Sequence, residues 1–362
     1  MPQKIKILSL FSGAGGLDIG FIKAGFDIVA SIDNDKICCC TLKKNNQLYY
    51  SKKHKVLCKN ISILDPQDLK LNNIEFIIGG PPCQTFSAAG RRAGGVKGID
   101  DLRGALFRHY FEFIKYFKPK GFLFENVRGM IQAKKGEDWK KIYREFSSLG
   151  YVIHYRVLDA ADFGVPQHRE RVIIIGIKNH TYLFPRPIFG LDSSDQKPHI
   201  SVGDAISDIN NPNEECHQYP GKYEQLLYEI PSGGNYSYFT SELGHPNPKF
   251  AWRSKFSNFL YKADPNLPCR TIVASPGKWS GPFHWKNRKF SISELKRIQT
   301  FPDDYIICGT ETEQLKQIGN SVAPKFAEIL AKSIMNQIFD RSLFSDLEYI
   351  EPNEKSSFDH LK

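Results

Sequence analysis

Residues 4–24 read KIKILSLFSGAGGLDIGFIKA, and this stretch decides how the chain begins to fold. Lys4 to Leu10 first alternates between polar and apolar residues and then becomes apolar, which predicts a buried β-strand. Phe11 to Gly16 contains three glycines and predicts a tight turn, where backbone can approach a ligand closely at a helix N-terminus. Leu17 to Ala24 has helical spacing. The stretch therefore predicts a strand, a turn and a helix at the start of an α/β domain.

The same alternation of strands and helices continues through the first half of the chain. Predicted strands lie at 27–32, 75–78, 121–124, 152–158 and 171–177, and predicted helices at 106–117, 139–149, 293–299 and 322–338. Strands that alternate with helices favour a parallel sheet covered on both faces. Between about 185 and 290, Pro, Gly, Asn and Ser are frequent and no period is sustained, which predicts a second, loop-rich domain.

Composition limits the class of protein. The 362 residues, 41% of them hydrophobic, suffice for one large domain and a smaller one. The N-terminus lacks the features of a secretory signal, and no stretch approaches the ~18 consecutive apolar residues of a membrane-spanning helix. We therefore expect a soluble intracellular protein. None of the eight cysteines forms a Cys-x-x-Cys pair, so we expect neither a disulfide framework nor a metal site.

The net charge of +10 is distributed unevenly. Residues 191–244 contain two basic and nine acidic residues, whereas residues 245–290 contain nine basic residues, one acid and nine aromatics. Basic groups interleaved with aromatic rings suit a surface that contacts phosphates and bases, although an ordinary basic surface would look similar.

Residues 79–87, with the sequence GGPPCQTFS, contain the sharpest candidate for a reactive group. Cys83 lies just past a predicted strand, on a loop stiffened by Pro81 and Pro82. A cysteine that is exposed and held still suits a nucleophile, whose thiolate is the reacting form. Alone, Cys83 could equally be a buried thiol in a tight turn.

Two further motifs occur near predicted strand ends. Glu125 follows an apolar strand, and parallel-sheet geometry places its carboxyl near the same edge as Cys83. Residues 167–171 read QHRER, and Arg169 and Arg171, two positions apart on a strand, share a face. Two guanidinium groups could hold carbonyl or carboxylate oxygens in a pocket, although edge-strand charge can also serve to prevent aggregation.

Asp33 follows the second predicted strand, where doubly wound sheets bind the two hydroxyl groups of a ribose. This aspartate and the glycine-rich turn fit NAD, FAD or S-adenosylmethionine equally well.

Taken in order, the motifs resemble those of the cytosine-C5 DNA methyltransferase family of bacterial restriction-modification systems. The resemblance covers about residues 5–180 and 270–338, and it leaves most of the middle of the chain unexplained. It is carried by Phe11-Ser-Gly-Ala-Gly-Gly16, Gly80-Pro-Pro-Cys-Gln84, Arg103-Gly-Ala-Leu106, Glu125-Asn-Val127, Gln167-x-Arg169-x-Arg171, Phe301-Pro-Asp303 and Gln317-Ile-Gly-Asn-Ser-Val322.

This resemblance implies an α/β fold, with a Rossmann-like S-adenosylmethionine-dependent methyltransferase domain, a smaller loop-rich target-recognition domain and a DNA cleft between them. The expected boundaries are 1–186 for the catalytic domain, 187–292 for target recognition, 293–315 for a hinge and return segment, 316–341 for a C-terminal helix that completes the catalytic domain, and 342–362 for a polar tail.

The resemblance also implies a mechanism. The thiolate of Cys83 would add to C6 of a cytosine flipped out of the duplex. Glu125 would hydrogen-bond N3 and the exocyclic amine, Arg171 and Arg169 would face O2, and C5 would take the methyl group. Residues 84–104 resemble the family's mobile catalytic loop. DNA contacts are expected at Gln84, Ser87, Arg91, Arg92, Arg253, Lys255, Arg270 and Thr271.

For S-adenosylmethionine, the implied contacts come from Phe11, Gly13, Gly15, Asp33, Asn60, Ile61, Pro82, Leu106, Asn320 and Val322. The chain departs from the family at three positions. Ser9 and Asn60 stand where the family usually has Asp, and Asp33 stands where it usually has Glu. The amide oxygen of Asn60 can still accept a hydrogen bond from an adenine amine, so we expect a weaker contact there.

The implied partners are double-stranded DNA and a cognate restriction endonuclease, for a monomer that is cytoplasmic and nucleoid-associated in a prokaryote. Three alternatives stay open. A tRNA cytosine-C5 methyltransferase shares the fold, but its usual Cys-Phe-Thr tripeptide is absent here. A catalytically silent DNA-binding relative would not need Cys83, Glu125 and Arg171. A nicotinamide or flavin oxidoreductase would leave Cys83 and the paired arginines unused. The recognition sequence and the cytosine methylated within it are not predictable.

Overall fold

The computed structural model of the protein describes residues 4–82, 105–132, 136–178, 180–209, 221–340 and 343–351. The strands are β1 (Lys6–Leu10), β2 (Asp27–Asp33), β3 (Lys55–Cys58), β4 (Phe76–Gly79), β5 (Gly121–Val127), β6 (Val152–Asp159), β7 (Gln167–His168), β8 (Glu170–Ile177) and β9 (Cys269–Arg270). The α-helices are α1 (Gly16–Lys23), α2 (Lys36–Lys44), α3 (Asn46–Tyr49), α4 (Ala105–Phe117), α5 (Gly129–Gln132), α6 (Glu137–Ser148), α7 (Val202–Ile206), α8 (Glu224–Glu229), α9 (Ile292–Ile298), α10 (Glu311–Asn320) and α11 (Pro324–Ile338). Short 3-10 helices lie at Ile61–Ile63, Pro66–Leu69, Ala160–Phe163, Tyr236–Phe239 and Ser241–Leu243. Across these ranges, no helix has the length and apolar character needed to cross a membrane.

Seven strands form the central sheet, in the order β3-β2-β1-β4-β5-β8-β6. Neighbours from β3 to β5 are parallel, whereas β8 runs antiparallel to both β5 and β6. The predicted α/β fold is therefore confirmed, but the expectation of a parallel sheet is wrong for β8. The physical reason is the connection at 160–169, which is too short for the crossover that two parallel neighbours need.

Helices cover both faces of the sheet because successive residues of each buried strand point to opposite sides. In β1, Ile7 packs with α1 and α11 in one core cluster, while Leu8 packs with α4 and α6 in another. Both side chains are fully buried. This three-layer arrangement leaves the carboxyl edge of the sheet as the place where loops can form a site.

Several elements had no counterpart in the sequence prediction. Among them are β3, α2 and α10, of which α2 and α10 flank the carboxyl edge of the sheet. The strand that carries Glu125 continues to Val127. Glu125 therefore lies within the strand, two residues before its end, instead of after it.

The middle of the chain forms a smaller unit with its own core. Seven buried residues from Leu227 to Phe283 pack together there: Leu227, Ile230, Tyr236, Phe239, Phe259, Leu260 and Phe283. The short parallel pair between β7 and β9 joins this region to the catalytic domain, because β7 directly precedes Arg169. A third cluster, which includes Ala14 of the glycine-rich turn and Phe290, fills the seam.

Residues 343–351, expected to belong to a polar tail, pack against the catalytic domain instead. Ile350 is buried in the core cluster of α1 and α11, and its amide donates to the carbonyl of Phe184. Phe344 and Leu347 pack on the same cluster. The prediction of a polar tail is thus wrong for this segment, because Phe344, Leu347 and Ile350 contribute apolar side chains to that core.

Candidate active site

A cavity of about 570 Å³ opens at the carboxyl ends of β1, β2, β4 and β5. It is lined by the glycine-rich turn, by Asp33, by Gly80 to Pro82, by Glu125 to Val127, by Arg169 and Arg171, and by residues of α10 and the turn after it. Its volume lies within the range of small-molecule sites, roughly 300–1,000 Å³. The cavity therefore joins the predicted cofactor site to the predicted catalytic residues.

The glycine-rich turn is held open by Asp33. The Oδ2 atom of Asp33 accepts a hydrogen bond from Gly13 N at 2.8 Å, and its Oδ1 atom accepts one from Asp35 N at 2.8 Å. Burial raises the pKa of Asp33, and these amide donors oppose the shift. Phe11 takes a left-handed backbone conformation, with φ of 54°. The carboxylate of Asp33 lines the cavity and can accept a hydrogen bond from a ligand there.

The turn after α10 closes the other side of the cavity. A Cβ atom at Gly16 would lie 2.1 Å from the carbonyl oxygen of Val322, so only glycine permits this approach. Asn320 and Val322, which the motif at 317–322 predicted as cofactor contacts, line the cavity as a result. The glycine-rich turn near the N-terminus and the turn after α10 therefore meet at the predicted cofactor site.

The structure brings together seven of the ten predicted cofactor residues: Phe11, Gly13, Asp33, Pro82, Leu106, Asn320 and Val322. Gly15, Asn60 and Ile61 do not line the cavity. The Oδ1 atom of Asn60 caps a 3-10 helix, accepting from the amide and hydroxyl of Ser62 at 3.0 and 2.8 Å. These two donors use the oxygen that was expected to accept from an adenine amine.

Glu125 and Arg171 form an ion pair at the floor of the cavity. Arg171 Nε lies 2.8 Å from Glu125 Oε1, and both side chains are only 12–13% exposed. The antiparallel pairing of β5 with β8 sets this geometry, because Arg171 lies opposite Val127, two residues beyond Glu125 on the same face. A Cβ atom at Gly80 would lie 2.6 Å from Glu125 Oε2, so glycine leaves room for the carboxyl.

Arg169 is more deeply buried than Arg171, at 2% exposure, and its guanidinium group binds backbone carbonyls of distant segments. Its Nη2 atom donates to Gly319 O at 2.7 Å, and Nη1 contacts Ile272 O at 3.5 Å. Burial, reinforced by Arg171, lowers the pKa of Arg169. The Nε atom has no hydrogen-bond partner among the residues that the structure describes. Arg169 thus lines the cavity, while backbone carbonyls from two distant segments hold its guanidinium group.

Cys83 and the predicted DNA contacts Gln84, Ser87, Arg91 and Arg92 lie outside the described residues. The structure does describe the two residues that lead to Cys83. The carbonyl of Pro81 accepts a hydrogen bond from Asn126 Nδ2 at 3.2 Å, and Pro82 lines the cavity. Asn126 follows Glu125 in β5. The segment that precedes Cys83 is therefore hydrogen-bonded to the strand that carries the predicted acid.

Sequence reasoning missed one polar contact at the mouth of the cavity. Lys316 Nζ lies 3.0 Å from Asp35 Oδ2, and both residues line the cavity. In the sequence, only the position of Lys316, one residue before the motif at 317–322, pointed to a place near the cavity. Asp35 caps α2, a helix that was not predicted.

The predicted DNA contacts of the middle region divide into two groups. Arg253 and Lys255 are exposed on a loop of the smaller unit. Arg270 instead stacks on the ring of Tyr261 at 4.0 Å and donates to a backbone carbonyl at 2.8 Å. Thr271 donates to His168 O at 2.7 Å, beside Arg169. Thr271 therefore bonds across the seam between the two units, whereas the side chain of Arg270 makes these contacts within the smaller unit.

Known proteins of one family match this chain along nearly its whole length. A profile of the C-5 cytosine-specific DNA methylase family matches residues 5–336. The type II methyltransferase M.NgoFVII of Neisseria gonorrhoeae is 34% identical, over 98% of this chain and 91% of its own length. M.SacI of Streptomyces achromogenes is 31% identical, over 93% of this chain and 94% of its own length.

Solved structures show the same architecture. A prophage-encoded E. coli protein, described as a DNA modification methyltransferase, is 25% identical with a TM-score of 0.64, over 93% of this chain and all of its own. The S. pombe Dnmt2 methyltransferase, at 17% identity and a TM-score of 0.57 over 92% of this chain and 99% of its own, shares the fold. The chain therefore belongs to the C-5 cytosine-specific DNA methylase family and is a DNA cytosine-5 methyltransferase.

Proposed function

We propose that the chain transfers the methyl group of S-adenosylmethionine to C5 of a flipped-out cytosine in a short double-stranded DNA sequence, through a covalent bond between Cys83 and C6. The observation that carries this proposal is the Glu125–Arg171 pair, held at 2.8 Å in a cavity shared with the glycine-rich turn. The segment that precedes Cys83 lies beside this pair, because the carbonyl of Pro81 accepts a hydrogen bond from Asn126.

The residues of the cavity fit S-adenosylmethionine. A ribose diol suits the carboxylate of Asp33, and the side of Gly13 that would carry a Cβ atom faces open space. Leu106, Pro82 and Val322 supply apolar surface. When bound, S-adenosylmethionine supplies a methyl group that is activated by an adjacent sulfonium.

The residues of the chain explain why cytosine C5, a poor nucleophile, can accept that methyl group. The thiolate of Cys83 adds to C6, which moves electron density to C5 and to N3 of the ring. Glu125 donates a hydrogen bond to N3, so its carboxyl carries a proton at that step. Arg171 fixes the orientation of the Glu125 carboxyl and offers positive charge toward O2. After C5 has taken the methyl group, transfer of the C5 proton to water restores the C5–C6 double bond and expels the Cys83 thiolate.

Arg169 has a different role from the one that the resemblance implied. Its two bonds to backbone carbonyls join the catalytic strand to the seam and to the turn after α10. Arg169 also lines the cavity, so its guanidinium group can contribute positive charge beside the bound base. We assign Arg169 to positioning first and to ligand contact second.

DNA binding follows from the charge pattern of the smaller unit, whose half from 245 to 290 is basic and rich in aromatics. The relatives are type II methyltransferases, so we infer protection of host DNA against a cognate restriction endonuclease.

The test is transfer of label from radiolabelled S-adenosylmethionine to mixed-sequence duplex DNA, with tRNA as the competing substrate. We expect labelled 5-methylcytosine in the duplex only, and no label with Cys83→Ser. Label in tRNA would favour the tRNA methyltransferase alternative, and binding of duplex without label would favour a silent relative. Bisulfite sequencing of DNA from expressing cells then gives the recognition sequence.

A further inference from the structure

A buried carboxylate lies directly beneath the glycine-rich turn and belongs to none of the predicted site residues. Asp18, in the first turns of α1, is fully buried. Its Oδ1 atom accepts from Ser9 Oγ at 2.5 Å, and its Oδ2 atom accepts from Ser31 Oγ at 2.6 Å and from Tyr50 Oη at 3.2 Å. Among the described residues, no lysine or arginine pairs with it.

These donors come from separate elements, so the carboxylate joins them at one point. Ser9 lies in β1, Ser31 in β2 and Tyr50 just after α3. Ser31 extends the network to His54 Nε2 at 2.9 Å. Burial lowers the pKa of His54 to about 4, so the network contains no cation at neutral pH. Burial raises the pKa of Asp18, and three hydroxyl donors, instead of an ion pair, oppose that shift.

The network contacts the turn from the side opposite the cavity. Ser9 Oγ lies 2.8 Å from Ser12 Oγ, and Ser12 lines the cavity. Tyr305 Oη donates to the carbonyl of Ala14 at 2.8 Å. The hydroxyls of Tyr50 and Tyr305 would lie 2.7 and 2.8 Å from a Cβ atom at Gly15, which explains why Gly15 faces the network and not the cavity.

Ser9 is one of the positions at which the chain departs from the family pattern. A serine there cannot supply a carboxylate, but its hydroxyl is directed at one that the helix supplies. The carboxyl group under the turn therefore comes from α1 instead of from β1.

We propose that Asp18 is a positioning residue for cofactor binding, which holds residues 12–15 in the shape that receives S-adenosylmethionine. The inference rests on the cofactor site proposed above. Asp18 does not line the cavity, so its effect must reach the ligand through the turn. Loss of the carboxylate should weaken binding of the cofactor and of its product while leaving the chemical step largely intact.

The experiment compares Asp18→Asn with the wild type and with Tyr182→Phe. The control removes a hydroxyl that is equally buried in the catalytic domain, where it bonds Ser333 Oγ at 2.9 Å, away from the cavity. Isothermal calorimetry gives the dissociation constant of S-adenosylhomocysteine without DNA. Steady-state methylation gives KM for S-adenosylmethionine and kcat, and thermal unfolding reports folding.

We expect Asp18→Asn to raise the dissociation constant and KM about tenfold or more, because an amide nitrogen would replace one carboxyl oxygen and cannot accept a hydrogen bond from the hydroxyl that faces it, with kcat at saturation changed by about threefold or less. Tyr182→Phe should bind like the wild type. Equal binding by Asp18→Asn and the wild type would overturn the inference, as would equal weakening in Tyr182→Phe. Should Asp18→Asn not fold, Ser9→Ala and Tyr50→Phe, which leave the carboxylate in place, are judged by the same comparison. A wild type that binds neither cofactor nor product would instead contradict the proposed function.

Discussion

Substitution of Glu125 by Gln gives the sharpest test of the catalytic assignment, because it separates shape from proton transfer. Glutamine has the size of glutamate, so its Oε1 atom can still take the position that lies 2.8 Å from Arg171 Nε. The loss in folding free energy should therefore not exceed that of one hydrogen bond to a charged group, about 1.5–3 kcal/mol. The cavity, and with it cofactor binding, should be preserved.

The rate, in contrast, should fall severely. An amide cannot carry the proton that N3 needs when the thiolate adds, and positioned general acids contribute about 10²–10⁴-fold. This range corresponds to about 2.7–5.4 kcal/mol in the activation free energy. We expect kcat to fall within that range while the dissociation constant for S-adenosylhomocysteine changes little.

Single-turnover transfer of label to a duplex measures the chemical step, and calorimetry measures cofactor binding. Glu137→Gln is the matched control, since Glu137 is an exposed residue that pairs with Lys140 on the surface. Turnover by Glu125→Gln equal to that of the wild type would refute the role given to this carboxyl. A fall in rate that matches an equal loss of cofactor binding would refute the separation of roles.

Three further outcomes follow from the described contacts. Arg288 and Glu294 form a buried bidentate pair at 2.7 and 2.8 Å, with 2–3% exposure, so Arg288→Ala should lower the free energy of unfolding by about 3–5 kcal/mol in urea titrations; a change below 1 kcal/mol would contradict this. Burial lowers the pKa of Lys262 to about 8, so below that pH the folded protein must keep a buried charge. Between pH 8 and about 10.4, Lys262 is protonated in the unfolded chain but largely neutral in the folded protein. The free energy of unfolding of the wild type should therefore rise with pH across this window, relative to that of Lys262→Met. Parallel plots of unfolding free energy against pH for the two proteins would contradict this. Arg253→Ala should weaken DNA binding and lower the salt slope by about 1, unlike Lys197→Ala in the acidic half, and equal slopes would exclude Arg253 from the DNA surface.

The local parts of the site could be predicted from sequence because they depend on neighbouring residues. A strand, a glycine-rich turn and a helix follow one another in residues 4–24, and the structure has β1 and α1 there. Asp33 and Glu125 could be placed at one sheet edge because parallel strands end together. The alternate spacing of Arg169 and Arg171 correctly predicted that both reach the same cavity.

Contacts between distant parts of the chain left no such signal. Arg169 bonds to carbonyls 103 and 150 residues away, so its structural role could not be inferred from the motif. The donors to Asp18 lie 9, 13 and 32 residues from it. The antiparallel direction of β8 was predictable in principle, because the connection from β6 leaves no room for a crossover.

The central claim, a covalent bond from Cys83 to the target base, is tested most directly with duplexes that contain 5-fluorocytosine. Fluorine at C5 cannot leave as a proton does, so the bond between sulfur and C6 should persist after methyl transfer. With S-adenosylmethionine present, mass spectrometry of the digested complex should find the oligonucleotide on the peptide that contains residue 83, and Cys83→Ser should give none. Turnover of normal duplexes without any such adduct, or an adduct on another residue, would contradict the account.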